Sequence, residues 1–297
     1  MNQSLLAYYL YRVLGFICPL MPRRFGYWLV SQLGTLAFYL YPRGAEIAKE
    51  NLSHVLGEEA DEETVKATAQ EVFRNLLKNY YDLFYKHALS DEEVGATVAV
   101  VGLHHVEKSL AEGKGVVATS GHFGPFDSLM QVAPSLKIKL TAPAEHLKPE
   151  KLYQYACRLR ARDWITFLPV DGPLFGLFRA LRRGEVVGLA ADRDITNSGI
   201  LVDFFGEPAS LPDGHVQLAM RTGARIVTFF GLRQTDNSCL LHIEPWLELE
   251  DTGDFEKDVR VNVRKVVARL EEWISRYPEQ WLMLQPVWRD SKNGNGD

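Results

Sequence analysis

Cysteine is scarce: Cys18, Cys157 and Cys239 are all the chain has, far apart and with no CxxC pair among them. That argues against a disulfide framework and a cysteine-based zinc site, and it fits a reducing compartment. A basic excess is missing too. The formal charge is -5, without the clustered positive surface a nucleic-acid partner calls for. Neither HExxH nor a His/Cys cluster occurs, and His104 and His105 are adjacent instead of at ligand spacing, so no metal is expected. GxSxG is absent, which disfavours a nucleophile-elbow hydrolase even though Ser120 stands two residues from a histidine. No internal repeat or low-complexity tract is present. A secretory signal is not expected, since no basic segment precedes the first apolar run and no small-residue cleavage site follows it.

What the chain does have, first, is an unusual beginning. The stretch "LLAYYLYRVLGFICPLMPRRFGYWLVSQLGTLAFYLYPR" is rich in Leu, Tyr and Phe, with charge only at Arg12, Arg23, Arg24 and Arg43. Phe25 to Pro42 is uncharged and just long enough to cross a bilayer, but Ser31, Gln32, Gly34 and Thr35 dilute it. Aromatic rings with flanking arginines suit the headgroup boundary, so residues 1–42 read as helices anchored in the membrane interface. An apolar core hairpin is the plainer alternative.

The rest divides by texture. Residues 43–90 read as helical, with Val65, Ala69, Val72, Phe73, Leu76, Leu77, Tyr80 and Leu83 at three- and four-residue steps and the acids of "DEET" at a helix start. Beyond Asp91, strand candidates "TVAVVG", "KGVVATS", "KIKLTAP", "EVVGLAA", "ILVDFFG" and "RIVTFFG" alternate with helical stretches. These are His104–Glu112, Pro125–Ala133, Pro149–Arg162, Leu174–Arg183 and Asp213–Thr222. The alternation predicts an α/β fold, a central, mostly parallel sheet flanked by helices, over residues 43–290. A polar tail, 291–297, follows.

The chemistry concentrates in "TSGHFGPFD", Thr119 to Asp127. A buried strand runs into a glycine-flanked histidine, and Pro125 then opens a helix, a position where its missing N–H is no loss. On a continuous helix five residues turn through roughly 500°, which would put His122 and Asp127 on different faces. With His122 in the turn, Asp127 can reach back, fix the imidazole tautomer and leave the second nitrogen as a base. The plainer alternative is a helix-end acid beside a satisfied turn histidine. Asp192, Arg193 and Asp194 in "AADRD" follow another buried strand, at the edge where α/β sheets collect ligands. Asp192 would support the His122 site, and Arg193 would bind a phosphate or close an ion pair. A structural ion-pair cluster is the competing reading. N–H groups of the turn near Gly121 to Gly124 could serve a tetrahedral oxyanion. Phe123, Phe126, Phe204 and Phe205 could line an acyl groove or simply fill the core.

"HFGPFD" resembles the HxxxxD box of the glycerolipid acyltransferase superfamily. "AEHLKPEKLYQY", "ADRDITNSGILVDFFGEPASLPDGHVQLAMRTGA" and "WLMLQPVW" narrow the resemblance to the branch of lipid A late acyltransferases and phosphatidylinositol mannoside acyltransferases, nearer the latter, over residues 43–289. Two departures stand out. The lipid A enzymes usually carry a glutamate where Asp127 stands, and the mannoside enzymes often carry a histidine where Leu282 stands. The resemblance implies acyl transfer from acyl-CoA or acyl carrier protein to a sugar hydroxyl of a membrane glycolipid, at the cytoplasmic face of the inner membrane and with no cofactor. His122 would be the base and Asp127 its partner, with Gly124, Glu145, Arg160, Arg193 and Asp194 at the substrates. A thioesterase or lipid hydrolase activating water with His122, or a non-catalytic lipid-binding protein, are the alternatives from other classes.

Overall fold

The computed structural model describes residues 3–173, 175–195 and 198–288. The expected tail at 291–297, the last two residues of the expected α/β domain, Leu174 at the start of one expected helix, and Thr196 and Asn197 lie outside them.

Four helices come first: α1 (Gln3–Ile17), α2 (Arg23–Leu40), α3 (Pro42–Leu56) and α4 (Glu62–Lys86). The division expected between 42 and 43 falls one residue inside α3, after Pro42. α2 lies along α4 at very close range: a Cβ on Gly34 would come within 2.6 Å of the Arg74 Cα, so only glycine admits this approach. Tyr27 of α2 donates to Asp82 Oδ1 of α4 at 2.5 Å, and the other carboxylate oxygen takes Arg233 at 2.6 Å. Asp61 caps α4 by accepting the Thr64 N–H at 2.7 Å, with Glu62 and Glu63 in the first turn as the acids of "DEET" suggested.

After α5 (Asp91–Gly95) the chain builds its sheet. The elements run β1 (Val98–Val101), α6 (Leu103–Ala111), β2 (Val116–Ser120), α7 (Phe126–Met130), β3 (Leu140–Ala144), α8 (Glu150–Arg160), β4 (Ile165–Pro169), α9 (Phe175–Arg182) and β5 (Val186–Ala190). A hairpin of β6 (Ile200–Phe204) and β7 (Glu207–Leu211) follows, then α10 (Gly214–Thr222), β8 (Arg225–Arg233), β9 (Cys239–Ile243) and α11 (Phe255–Arg276). Seven strands pair in the order β1-β9-β8-β2-β5-β3-β4, parallel throughout except between β8 and β9. Both faces are covered, so successive strand residues enter two different cores: Val116 packs on the α6–α7 side and Val117 on the α9–α10–α11 side.

"ILVDFFG" does not join this sheet. Phe205 and Gly206 both take positive φ (52° and 82°) and turn the chain back on itself, which makes β6–β7 an antiparallel hairpin. Strands β4, β7 and β9 and helix α11 were not expected. Among the described residues no helix is long and apolar enough to cross a membrane.

Candidate active site

β2 and β5 are neighbours in parallel register, with Ser120 opposite Ala190. Two residues beyond that pair, past the carboxyl edge of the sheet, His122 and Asp192 therefore stand abreast. The contact is close. His122 Nδ1 lies 2.8 Å from Asp192 Oδ1, and the His122 backbone N–H donates to Asp192 Oδ2 at 2.7 Å. Trp281 adds its indole N–H to Asp192 Oδ2 at 3.0 Å. Asp192 is 1% exposed and holds three hydrogen bonds. Burial alone would raise its pKa, but His122 and these donors outweigh it and hold the carboxyl below its ordinary value. An ionised carboxylate only accepts, so Nδ1 carries the proton and Nε2 keeps a lone pair. Burial likewise draws the imidazole down, and the Asp192 charge and hydrogen bond override it, for a net shift above 6.5.

Asp127 does not orient the imidazole. It is buried and taken by Arg160, whose Nε donates to Oδ1 at 2.5 Å and whose Nη2 donates to Oδ2 at 3.2 Å. The reason is geometric: α7 begins at Phe126, turning Asp127 toward α8, while the β2–β5 register brings a nearer carboxylate to the ring. The pair Asp127–Arg160 ties the helix after the box to α8.

Nor do the turn N–H groups at 122–124 await an oxyanion. The His122 N–H serves Asp192, the Phe123 N–H meets the Gly121 carbonyl at 2.8 Å, and the Gly124 N–H meets the Gln280 carbonyl at 2.7 Å. The Gly124 carbonyl accepts from Asn79 Nδ2 at 3.0 Å. Gly124 is there because the backbone needs it: φ is +56°, and a Cβ would sit 1.9 Å from the Gly231 oxygen. Arg193, next to Asp192, pairs with Glu145 at 3.1 Å, while its buried Nε has no partner. Asp194 instead organises the approach to β6, accepting from the Ser198 and Gly199 N–H groups and from Ser210 Oγ.

His122 opens onto a cavity of about 400 Å³. Ala118, Leu129, Leu140, Val186 and Val227 line it, and Phe126 sets its ring edge-on to His122 at 5.6 Å. Leu177 of α9 and His215 and Leu218 of α10 line the same cavity. Glu145 and Arg193 stand at the same cavity, whereas Arg160 does not line it. Of the four phenylalanines considered for the groove, only Phe126 is there. Phe123 packs on Phe230, and Phe204 and Phe205 pack on Trp288. Strand alternation beyond a turn, and a hairpin outside the main sheet, send those rings into the core.

Sequence reasoning gave Trp281 no role, although "WLMLQPVW" was conspicuous. The segment runs back beside the box: Phe123 bridges to Trp281, and the Leu282 N–H donates to the His122 carbonyl at 2.8 Å. Leu282 is buried against Phe126 and the α3–α4 core, away from the cavity. No ligand-spaced group of His, Cys, Asp and Glu occurs among the described residues.

The chain is similar to known proteins over nearly its whole length. The model of the bacterial lipid A biosynthesis acyltransferase family matches residues 2–290. A phosphatidylinositol mannoside acyltransferase of Mycobacterium tuberculosis (strain CDC 1551 / Oshkosh) is 31% identical over 261 residues, 82% of this chain and 77% of that protein. Its namesake in Mycolicibacterium smegmatis is 28% identical over 252 residues, covering 82% and 80%. The lipid A biosynthesis palmitoleoyltransferase of Escherichia coli (strain K12) is 25% identical over 259 residues, covering 86% and 82%.

Proposed function

The chain belongs to the bacterial lipid A biosynthesis acyltransferase family, and within it we propose a membrane-bound enzyme that moves a fatty acyl chain from a pantetheine thioester to a sugar hydroxyl of a phosphatidylinositol mannoside-like glycolipid. Acyl-CoA and acyl carrier protein both offer that thioester. The single observation carrying the reading is a hydrogen-bonded His–Asp pair whose histidine lines a largely apolar cavity. Preference for a mannoside-type acceptor over a lipid A precursor follows the higher identity to the mannoside enzymes.

An alcohol attacks a thioester only as its proton leaves. Nε2 of His122 accepts that proton while the sugar oxygen adds to the carbonyl, and Asp192 stabilises the imidazolium that forms. The tetrahedral intermediate collapses with cleavage of the C–S bond, and the proton passes from His122 to the leaving thiolate. Each reactant is conserved: an O–H and a thioester become an ester and a thiol, with no acyl-enzyme. Arg193, which lines the cavity next to Asp192, supplies the positive group for the oxyanion in place of the turn N–H groups. Membrane attachment rests on the outward side of α1, α2 and the turn between them, where Phe16, Leu20, Trp28 and Leu40 are 72%, 70%, 58% and 73% exposed.

The pH dependence tests this assignment. His122 must be neutral to act, so the rate falls as pH drops through its raised pKa, placing the acidic limb above 6.5. Asp192→Asn removes what raises that pKa and leaves the burial that lowers it, so the limb moves to lower pH. Initial rates against pH at saturating donor, with folding checked separately, read this out. A limb that stays in place in Asp192→Asn means another group is titrating, and the base assignment fails.

A further inference from the structure

His215, the second residue of α10, is 2% exposed and lines the same cavity as His122. Both ring nitrogens are buried without a hydrogen-bond partner. Buried polar atoms in folded proteins are almost always paired, so a ring in a cavity wall with neither nitrogen met stands out as a place where an entering group could pair. Its place follows from topology. α10 precedes β8, and β8 runs parallel to β2, so α10 begins at the carboxyl edge of the sheet, where His122 stands. The neighbouring walls, Leu177, Leu189 and Leu218, offer nothing to hydrogen-bond.

Burial without a charged partner drives the imidazole pKa down to about 4, so the ring is neutral at physiological pH. A neutral imidazole presents one N–H and one lone pair, with no charge to hold a carboxylate or a phosphate. The group that matches it is a hydroxyl, itself one donor and one acceptor. An unsubstituted alkyl chain in the cavity would leave the ring unmet.

We propose that His215 is a specificity residue that recognises a hydroxyl on the first carbons of the acyl chain, making 2- or 3-hydroxyacyl thioesters the preferred donors. The proposal rests on the reading of this cavity as the acyl site. Nothing covalent is involved: the hydroxyl is recognised and is not consumed.

The experiment measures binding without an acceptor, by calorimetry, for 2-hydroxyacyl-, 3-hydroxyacyl- and unsubstituted acyl-pantetheines of one chain length. The proteins are the full chain and its His215→Leu variant. The native protein should bind one hydroxyacyl isomer about tenfold or more tighter than the plain chain, because only that ligand satisfies the ring. In His215→Leu the ratio should fall toward one. Equal binding of all three by the native protein, or a preference that survives in His215→Leu, overturns the proposal, as does failure of all three to bind. A retained water as the ring's sole partner gives the first of these results. Each ratio is read within one protein, so a poorly folding variant leaves the native result decisive. Transfer to a glycolipid, assayed in parallel, reports separately on the function: binding preference without transfer sinks the acyltransferase reading and leaves the donor preference standing.

Discussion

Two aspartates compete for one histidine, and the distances decide between them. Asp192 has His122 at 2.8 Å, whereas both oxygens of Asp127 are engaged by Arg160. The two carboxylates therefore do different work, one setting the tautomer and charge of the base, the other neutralising a largely buried guanidinium. Their variants should fail differently. Asp127→Asn strands Arg160 in a site where its side chain is only 20% exposed, a loss on the order of 3 kcal/mol when a buried pair is broken on one side. Its acidic limb should barely move, since Asp127 acts on His122 only from a distance and with its charge already paired. Denaturant midpoints give the stability, and the pH profile of the folded fraction gives the limb. A stable Asp127→Asn protein with a displaced limb would restore Asp127 as the partner of His122.

At the scale of elements, much was legible. The strands with continuous Val/Ile/Ala runs, β2, β5 and β8, were read correctly because a parallel sheet buried on both faces leaves no alternation to misread, whereas Pro125, expected as the first helical residue, caps α7 instead, which starts at Phe126. β4, "ITFLP", and β9, "CLLHI", went unread since polar residues or a proline interrupt them, and only their neighbours in the sheet make them strands. α11 carries Val259, Val263, Val266, Leu270 and Ile274 at helical spacing, but its many valines speak locally for a strand. The site was half legible. His122 and Asp192 each ended a recognisable strand, yet which carboxylate met the ring depended on the β2–β5 register, seventy residues apart, and no local signal encodes that. The first two helices make a prediction of their own. α1 sets Tyr11 and Leu14 inward, as the turn after it does Cys18, and leaves Leu6, Leu10, Val13 and Ile17 outward, apolar on both sides. Truncation would uncover the face of α4 that α2 covers, so point charges are the cleaner test. Phe16→Glu with Leu20→Glu should sharply weaken sedimentation with anionic vesicles and leave the circular dichroism spectrum unchanged. Undiminished vesicle binding would remove these helices from membrane contact.

The whole molecule joins an apolar helical face, a sheet edge carrying His122, and a cavity that His122 lines. On the proposed function, a donor chain lodged in the cavity would put its thioester at His122, while a lipid acceptor would arrive along the helical face. That division of labour would separate transfer from hydrolysis, because the acyl group would wait for an alcohol in a place where water is a poor competitor. The measurement that bears on it most directly follows a radiolabelled acyl-pantetheine incubated with the full chain, with and without mannosylated phosphatidylinositol in vesicles. Label should enter the lipid when the acceptor is present and stay on the thioester when it is absent, and His122→Ala should lower incorporation by roughly two to four orders of magnitude. Rapid release of labelled free fatty acid without acceptor, unaltered when acceptor is added, would contradict the account and make the enzyme a thioesterase.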